Sequence, residues 1–267
     1  MDLAALFVLS VLIILSVFPL YWMVVTSFKS TAQTFTIPPE WFFKPTLEHY
    51  RNIVEAKNIV KTFVNSLTVS LLGTFFALLL GLPAAYSLAR FQFKGKNHVW
   101  FWIITNRMLS PIALALPFFL LGRKLALLDT RLYLIIIYLT FNLPMVIWIM
   151  IGFFQAIPRE LEEAAVVEGA TSGSAFIKVI LPLAAPGIVV TAIFCVIFSW
   201  NELLYALVLT RMEARTMPVV ASTFMTGMGI QWGGIAATGT LIVLPILIFS
   251  FLVSRYLVRG LTLGAIK

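Results

Sequence analysis

Apolar and polar positions in this chain are not interleaved; they fall into long blocks. The stretch Leu3–Ser27 carries no charge, and further apolar blocks lie at Phe63–Ala89, Val99–Gly122, Leu132–Ile157, Pro186–Thr210 and Ile235–Ser254. Arg107 interrupts the third block and Glu202 the fifth. Each is about 20 residues or longer, enough to cross a hydrocarbon core about 30 Å thick. A bilayer offers no water to an unpaired backbone, so each block is expected to be a helix. The pattern predicts an all-α polytopic membrane protein with six transmembrane helices. Pro19 is expected to kink the first span, and Tyr21 and Trp22 suit its interfacial end. Met1 and Asp2 supply no basic n-region, and the run after them is too long for a signal-peptide core, so it is expected to stay as a helix.

Two connections stand out. Lys29–Thr62 holds Pro38, Pro39, Pro45 and several charges, which predicts an extramembrane loop with a short helix around Leu47–Ala56. Arg211–Gly234 carries Gly227, Gly229, Gly233 and Gly234, which predicts a re-entrant or exposed loop instead of a seventh span.

Composition sharpens this picture. Hydrophobic residues make up 61% of the 267 positions and charged residues only 11%, with a mean hydropathy of +1.00. A soluble domain of this size needs far more charge at its surface. The net charge of +8 does not point to nucleic acid, because the basic residues are scattered through loops and form no stripe. They read as interfacial anchors, and their near-even split between the two faces leaves orientation undecided. The single cysteine, Cys195, lies in an apolar block as a packing residue. His49 and His98 fall in loops on opposite faces and cannot share a metal. The chain has no G-x-x-x-x-G-K-[ST] phosphate loop and no nucleophile–base or H-E-x-x-H constellation. Catalysis, ATP hydrolysis and metal binding by this chain are therefore not expected.

One polar segment does not fit a simple turn between spans. Glu163–Pro182 reads EAAVVEGATSGSAFIKVILP. Pro158 suits a helix start, Glu160, Glu162 and Glu163 suit the positive end of a helix dipole, and Ala164 and Ala165 give a small face for close packing. Gly169 is expected to end or bend that helix, Phe176 and Ile177 to anchor a second short one, and Pro182 to stop it before the next span. The plain reading is an amphipathic interfacial helix. The sharper one is a docking surface for a protein outside the membrane.

The spacing of this segment resembles the EAA loop of permease subunits from ATP-binding-cassette importers. Glu163, Ala164 and Ala165 open it, Gly169 follows, and Val179, Leu181 and Pro182 stand where that family has I-x-L-P. Glu168 replaces the usual Asp and keeps the charge with one more methylene. Asn65–Phe91, Trp200-Asn201-Glu202 and the terminal RGLTLGAIK are similar to the carbohydrate, maltose-type class, and the length fits the smaller permease of a pair. The resemblance implies a cytoplasmic EAA coupling loop (158–182) between helices 4 and 5. Residues 1–62 would form the first transmembrane helix and an extracytoplasmic loop, and 63–267 the permease core. Both termini would be cytoplasmic in the cell's inner membrane. It implies as partners a second homologous permease, two ATPase subunits that use ATP and Mg²⁺, an extracytoplasmic solute-binding protein, membrane lipid and a carbohydrate substrate. Glu163, Ala164, Ala165, Glu168, Gly169, Val179, Leu181 and Pro182 would couple to the ATPase. Met225, Gly227, Gly229 and Trp232 would belong to a loop that meets the binding protein, and the Gly260–Lys267 tail would reach the ATPase interface.

Glu202 is the remaining expectation. A carboxylate inside an apolar segment costs about 2.5–3.5 kcal/mol to insert, so it faces a cavity or a partner. Trp200, Asn201 and Tyr205 beside it make a set suited to a sugar, with Arg107 as a further candidate along the pathway. Asn65 and Asn142 are weaker candidates of the same sort, since an amide in a membrane helix is more often an interhelical hydrogen bond worth about 1 kcal/mol or less. An ion pair between Glu202 and Arg107 is the alternative, compatible with the first. Two other functions stay open: the same importer architecture for an amino acid, polyamine or anion, and a self-contained channel or secondary carrier.

Overall fold

The computed structural model describes residues 3–226 and 229–263. It is almost entirely helical. Helix α1 (Leu3–Ser27) is followed by α2 (Thr31–Thr34), α3 (Glu48–Lys57) and the long α4 (Ile59–Arg90). Next come α5 (Lys96–Met108), α6 (Pro111–Lys124) and α7 (Arg131–Ala156). The EAA-like segment forms α8 (Arg159–Val167), α9 (Ser172–Ala175), a π turn at Phe176–Ile180 and α10 (Leu181–Leu183), leading into α11 (Ala185–Trp200). After α12 (Leu204–Leu209) and α13 (Met217–Ser222), a two-strand hairpin pairs β1 (Met225–Thr226) with β2 (Gly229–Ile230) before α14 (Trp232–Leu263).

Among the described residues three helices, α1, α4 and α7, are long and apolar enough to cross a membrane. Two bent pairs raise the number to as many as five: α5 with α6 turns through 95°, and the segment 172–183 with α11 through 76°. The first bend has a clear cause. Pro111 lies at the start of α6, and a proline pushes the residue before it out of helical geometry. Ser110 and Leu109 accordingly sit extended, at ψ 125° and 129°. The second bend corrects an expectation. The chain does not stop at Pro182; it stays helical through it and turns at Ala184, ahead of Pro186. In the π turn the Leu181 N–H reaches back five residues to the Phe176 carbonyl. That wider turn makes room for the Pro182 ring, and the missing N–H of Pro186 then breaks the ladder.

The chain packs as two units, residues 1–64 with 216–248 and residues 65–215 with 249–267. In the first unit a core of Ile53, Ile59, Met217, Val220, Phe224 and Ala237 gathers α3, the start of α4, α13 and α14. The Ser27 hydroxyl meets the Tyr50 hydroxyl at 2.8 Å and ties the end of α1 to α3. A Cβ at Gly233 would fall 2.0 Å from the His49 imidazole, so any other residue there requires that ring to move. In the second unit Ala77, Ala85, Tyr86, Val146, Met150, Phe154, Ile180 and Cys195 form one cluster from α4, α7, the π turn and α11. Cys195 is buried as the sequence predicts. Asn142, on α7, donates to the Ser199 hydroxyl on α11 at 2.7 Å, a hydrogen bond between helices and not a cavity contact.

Candidate coupling helix and membrane cavity

Helix α8 begins at Pro158 and carries Glu160 and Glu162 in its first turn, where carboxylates suit the helix dipole. Its end is a Schellman turn. The Gly169 N–H bonds the Val166 carbonyl at 3.0 Å and the Ala170 N–H bonds the Ala165 carbonyl at 2.9 Å. Gly169 supplies the left-handed residue at φ 93°, with open space where a side chain would go. The constraint at this position is therefore conformational and not steric. Thr171 caps the next turn by accepting from the Ser174 N–H.

Glu162, expected from sequence only as a carboxylate suited to the helix dipole, also fastens α8. One carboxylate oxygen lies 3.1 Å from Arg90 Nε, with both side chains largely buried. The other accepts from the Tyr86 hydroxyl. Arg90 also donates to the Ile157 carbonyl at 2.9 Å. The Tyr86 ring packs among Phe91, Phe154 and Phe176, at centroid distances of 5.8, 5.8 and 4.5 Å. The end of α4, the end of α7 and the start of α8 are thus pinned at one point. The outward face is bare: Glu163, Ala164, Glu168 and Gly169 are exposed, and so are Leu161, Val166 and Val167, the last 88% exposed. Ala165, Val179 and Leu181 are half-buried and Pro182 is exposed. A concavity of about 360 Å³ runs between Arg90, Phe91, Arg159, Glu163 and Val167.

Elsewhere in the same unit, the breaks between α5 and α6 and between α11 and α12 open onto a cavity of about 790 Å³. Arg107, Asn201, Glu202 and Tyr205 all line it, together with Asn106, Ser110, Thr140 and Phe141. The Glu202 carboxylate accepts from the Tyr205 N–H at 2.7 Å, the Ala206 N–H at 3.0 Å and the Tyr138 hydroxyl at 2.9 Å. It therefore caps α12, and its partner is Tyr138, not Arg107. The Arg107 guanidinium lies 5.9 Å above the Trp148 ring. Asn201 Nδ2 returns to the Ile197 carbonyl at 2.9 Å, leaving its oxygen open. The Tyr205 ring lies parallel to Phe141 and beside Phe118. Trp200 is buried and does not line the cavity.

Asn65 is not brought to this cavity either. It is fully buried, donating to the carbonyls of Glu213 and Arg215 at 2.8 Å and accepting from Arg131 Nε at 2.6 Å. The same loop is held a second time. Asp129, between α6 and α7, accepts from the backbone N–H groups of Arg211, Met212, Glu213 and Ala214 at 2.9 to 3.1 Å. Partial burial would raise the carboxyl pKa, but the four N–H groups outweigh it and hold the group below its ordinary value. In the other unit, Met225 and Trp232 are exposed, and Gly229 sits in the hairpin at φ 136°. Gly227 and the last four residues of the Gly260–Lys267 tail lie outside the described residues.

The chain resembles known proteins over nearly its whole length. It is 37% identical over 259 residues to the diacetylchitobiose uptake system permease protein of Streptomyces coelicolor, covering 96% of this chain and 94% of the relative. It is 41% identical over 225 residues to the trehalose transport system permease protein of Mycobacterium tuberculosis, covering 83% and 82%. A chain of a bacterial ABC transporter that imports the acidic polysaccharide alginate shares the fold, with a TM-score of 0.76 at 23% identity and 95% coverage of both chains. Residues 77–263 match the family described as "Binding-protein-dependent transport system inner membrane component". With its membrane helices, α8 and the cavity accounted for, the chain belongs to that family of inner-membrane transport components.

Proposed function

We propose that this chain is one of two homologous permeases in an ATP-driven importer and forms half of the translocation pathway for a sugar, oligosaccharide or polyol. The solute class is supported by relatives named for diacetylchitobiose, trehalose and trehalose/maltose. In this reading there are six spans: α1, α4, the bent pair α5–α6, α7, α11 with α12, and α14. Both termini and α8 face the cytoplasm. The chain itself performs no chemistry; two separate ATPase subunits bind ATP and Mg²⁺.

The observation that carries this reading is the geometry of α8. Its inner side is anchored through Glu162, Arg90 and Tyr86, and its outer side is exposed and partly apolar. A helix held rigidly from one side and bare on the other transmits a push from a soluble partner without absorbing it. Glu163, Ala164, Ala165, Glu168 and Gly169 would meet an ATPase cleft, with Val179, Leu181 and Pro182 carrying the motion into α11. Glu202, Asn201, Arg107 and Tyr205 would meet the solute in the cavity, a carboxylate and amide for hydroxyls and a ring for the apolar sugar face. Asn65 is better suited to bracing the 211–215 loop. The hairpin with Met225, Gly229 and Trp232 would face an extracytoplasmic binding protein, and the C-terminal tail would reach the ATPase interface.

Co-purification with the co-expressed ATPase tests the reading. Gly169→Pro removes an N–H that the Schellman turn uses and forbids φ 93°. Glu163→Lys reverses a charge on the bare face. Both variants are expected to insert and to lose the ATPase. Full retention of the ATPase and of ATP-driven uptake in both would reduce α8 to an interfacial helix.

A further inference from the structure

The unit formed by residues 1–64 and 216–248 holds a second cavity, of about 430 Å³, where α1 ends. Its lining is mixed: Pro19, Trp22, Met23 and Ile235 are apolar, and Thr26, Lys29, Gln33 and Thr36 are polar. Lys29 is only 2% exposed. Its ammonium lies 4.6 Å from the Trp22 ring centroid and 5.3 Å from that of Phe43, and it forms no ion pair among the described residues. Two aromatic faces hold the charge in place without neutralising it. An enclosed ammonium that reaches a cavity is suited to take an anion there.

The neighbouring polar groups are arranged for an acceptor-rich ligand. Gln33 has its side-chain oxygen engaged by the Ser30 N–H and hydroxyl, which leaves its amide N–H groups as donors. The chain just beyond is strongly apolar yet exposed. Ile37 and Phe42 are 95% and 97% exposed, with Phe35 and Trp41 exposed beside them. Trp41 stacks edge-on against Trp22 at 5.3 Å. Such a loop, at the end of an apolar helix whose own side chains are largely exposed, matches the aromatic belt at a bilayer surface.

We propose that this cavity is a phospholipid site. The phosphate of the headgroup accepts from Lys29 Nζ and the Gln33 amide, and an acyl chain lies against Pro19, Trp22 and Met23, with Phe35–Phe42 dipping into the interface. A phosphate diester supplies an anion for Lys29, and its attached chains match the apolar part of the lining. A free inorganic phosphate would use only the polar groups.

Native mass spectrometry of the full chain, co-expressed with its partner subunits and extracted into detergent from membranes containing phosphatidylglycerol and phosphatidylethanolamine, tests the site. Wild type is expected to retain one phospholipid more per copy of this chain than Lys29→Met, with retention lower by about tenfold in the variant. Lys29→Arg, which keeps the charge, is expected to restore most of it. Equal retention in a Lys29→Met protein that elutes and melts like wild type would overturn the proposal. Displacement of the bound lipid by inorganic phosphate alone would overturn it as well, because the site would then be one for a free anion. If Lys29→Met does not assemble, Gln33→Leu serves in its place, with loss of lipid expected and unchanged retention refuting the site.

Discussion

Glu202 and Asp129 use the same device in two different surroundings. Each carboxylate gathers backbone N–H groups of a later segment: Glu202 those of Tyr205 and Ala206, Asp129 those of residues 211 to 214. Asp129 sits in a connection between helices and is closed by four N–H groups. Glu202 lies within an apolar span, takes those of Tyr205 and Ala206, adds the Tyr138 hydroxyl and keeps a face on the cavity. The difference separates a fastening from a candidate contact. A carboxylate in a membrane segment need not wait for a cation; backbone donors and one phenol can hold it. What makes Glu202 a candidate solute contact is its place in the cavity lining.

The contrast yields graded predictions. Glu202→Ala leaves the Tyr138 hydroxyl and the α12 terminus without an acceptor in an apolar setting, and is expected to cost about 3 kcal/mol. A lowered thermal midpoint of the purified complex is the readout. Asp129→Ala frees four N–H groups that water can reach, so about 2 kcal/mol is expected. A larger loss at Asp129 than at Glu202 would reverse the comparison. Tyr138→Phe leaves both backbone bonds of Glu202 intact and should cost only about 1 kcal/mol. The smallest effect is one of pH. Because the Asp129 carboxyl is held below its ordinary value in the folded state, its contribution is complete above the unfolded value near ~3.9 and is lost as pH falls through the folded one. The gap in midpoint between wild type and Asp129→Ala should therefore be constant near neutrality and close on acidification below about pH 4.

Block patterning made the helical, membrane-spanning character legible, because a long uncharged run has one physical solution in a bilayer. The bend between α5 and α6 has an equally local cause, since Pro111 constrains the residue before it. The exposure of the EAA segment and the turn at Gly169 followed from local chemistry as well. The Arg90–Glu162–Tyr86 anchor did not. It joins positions more than 70 residues apart, and each looks like an ordinary terminal charge or aromatic within its own helix. The partner of Glu202 was misplaced for the same reason: Arg107 looked like its natural counter-ion, whereas Tyr138 carries no charge to draw attention. Asn65 left two readings open. An amide in an apolar block signals a buried polar group, but one sequence does not say whether it holds backbone or solute.

The π turn at Phe176–Ile180 has a geometric consequence of its own. Relative to an α-helix it contains one surplus residue, and each residue corresponds to about 100° of rotation about the helix axis. The turn therefore acts as a phase shifter between Ser172–Ala175 on one side and α10 with α11 on the other. Removing one residue there would restore a regular ladder while turning everything before it by roughly a third of a revolution. The bearing of α8 relative to the membrane helix it leads into is set by residue count, independently of which side chains it presents.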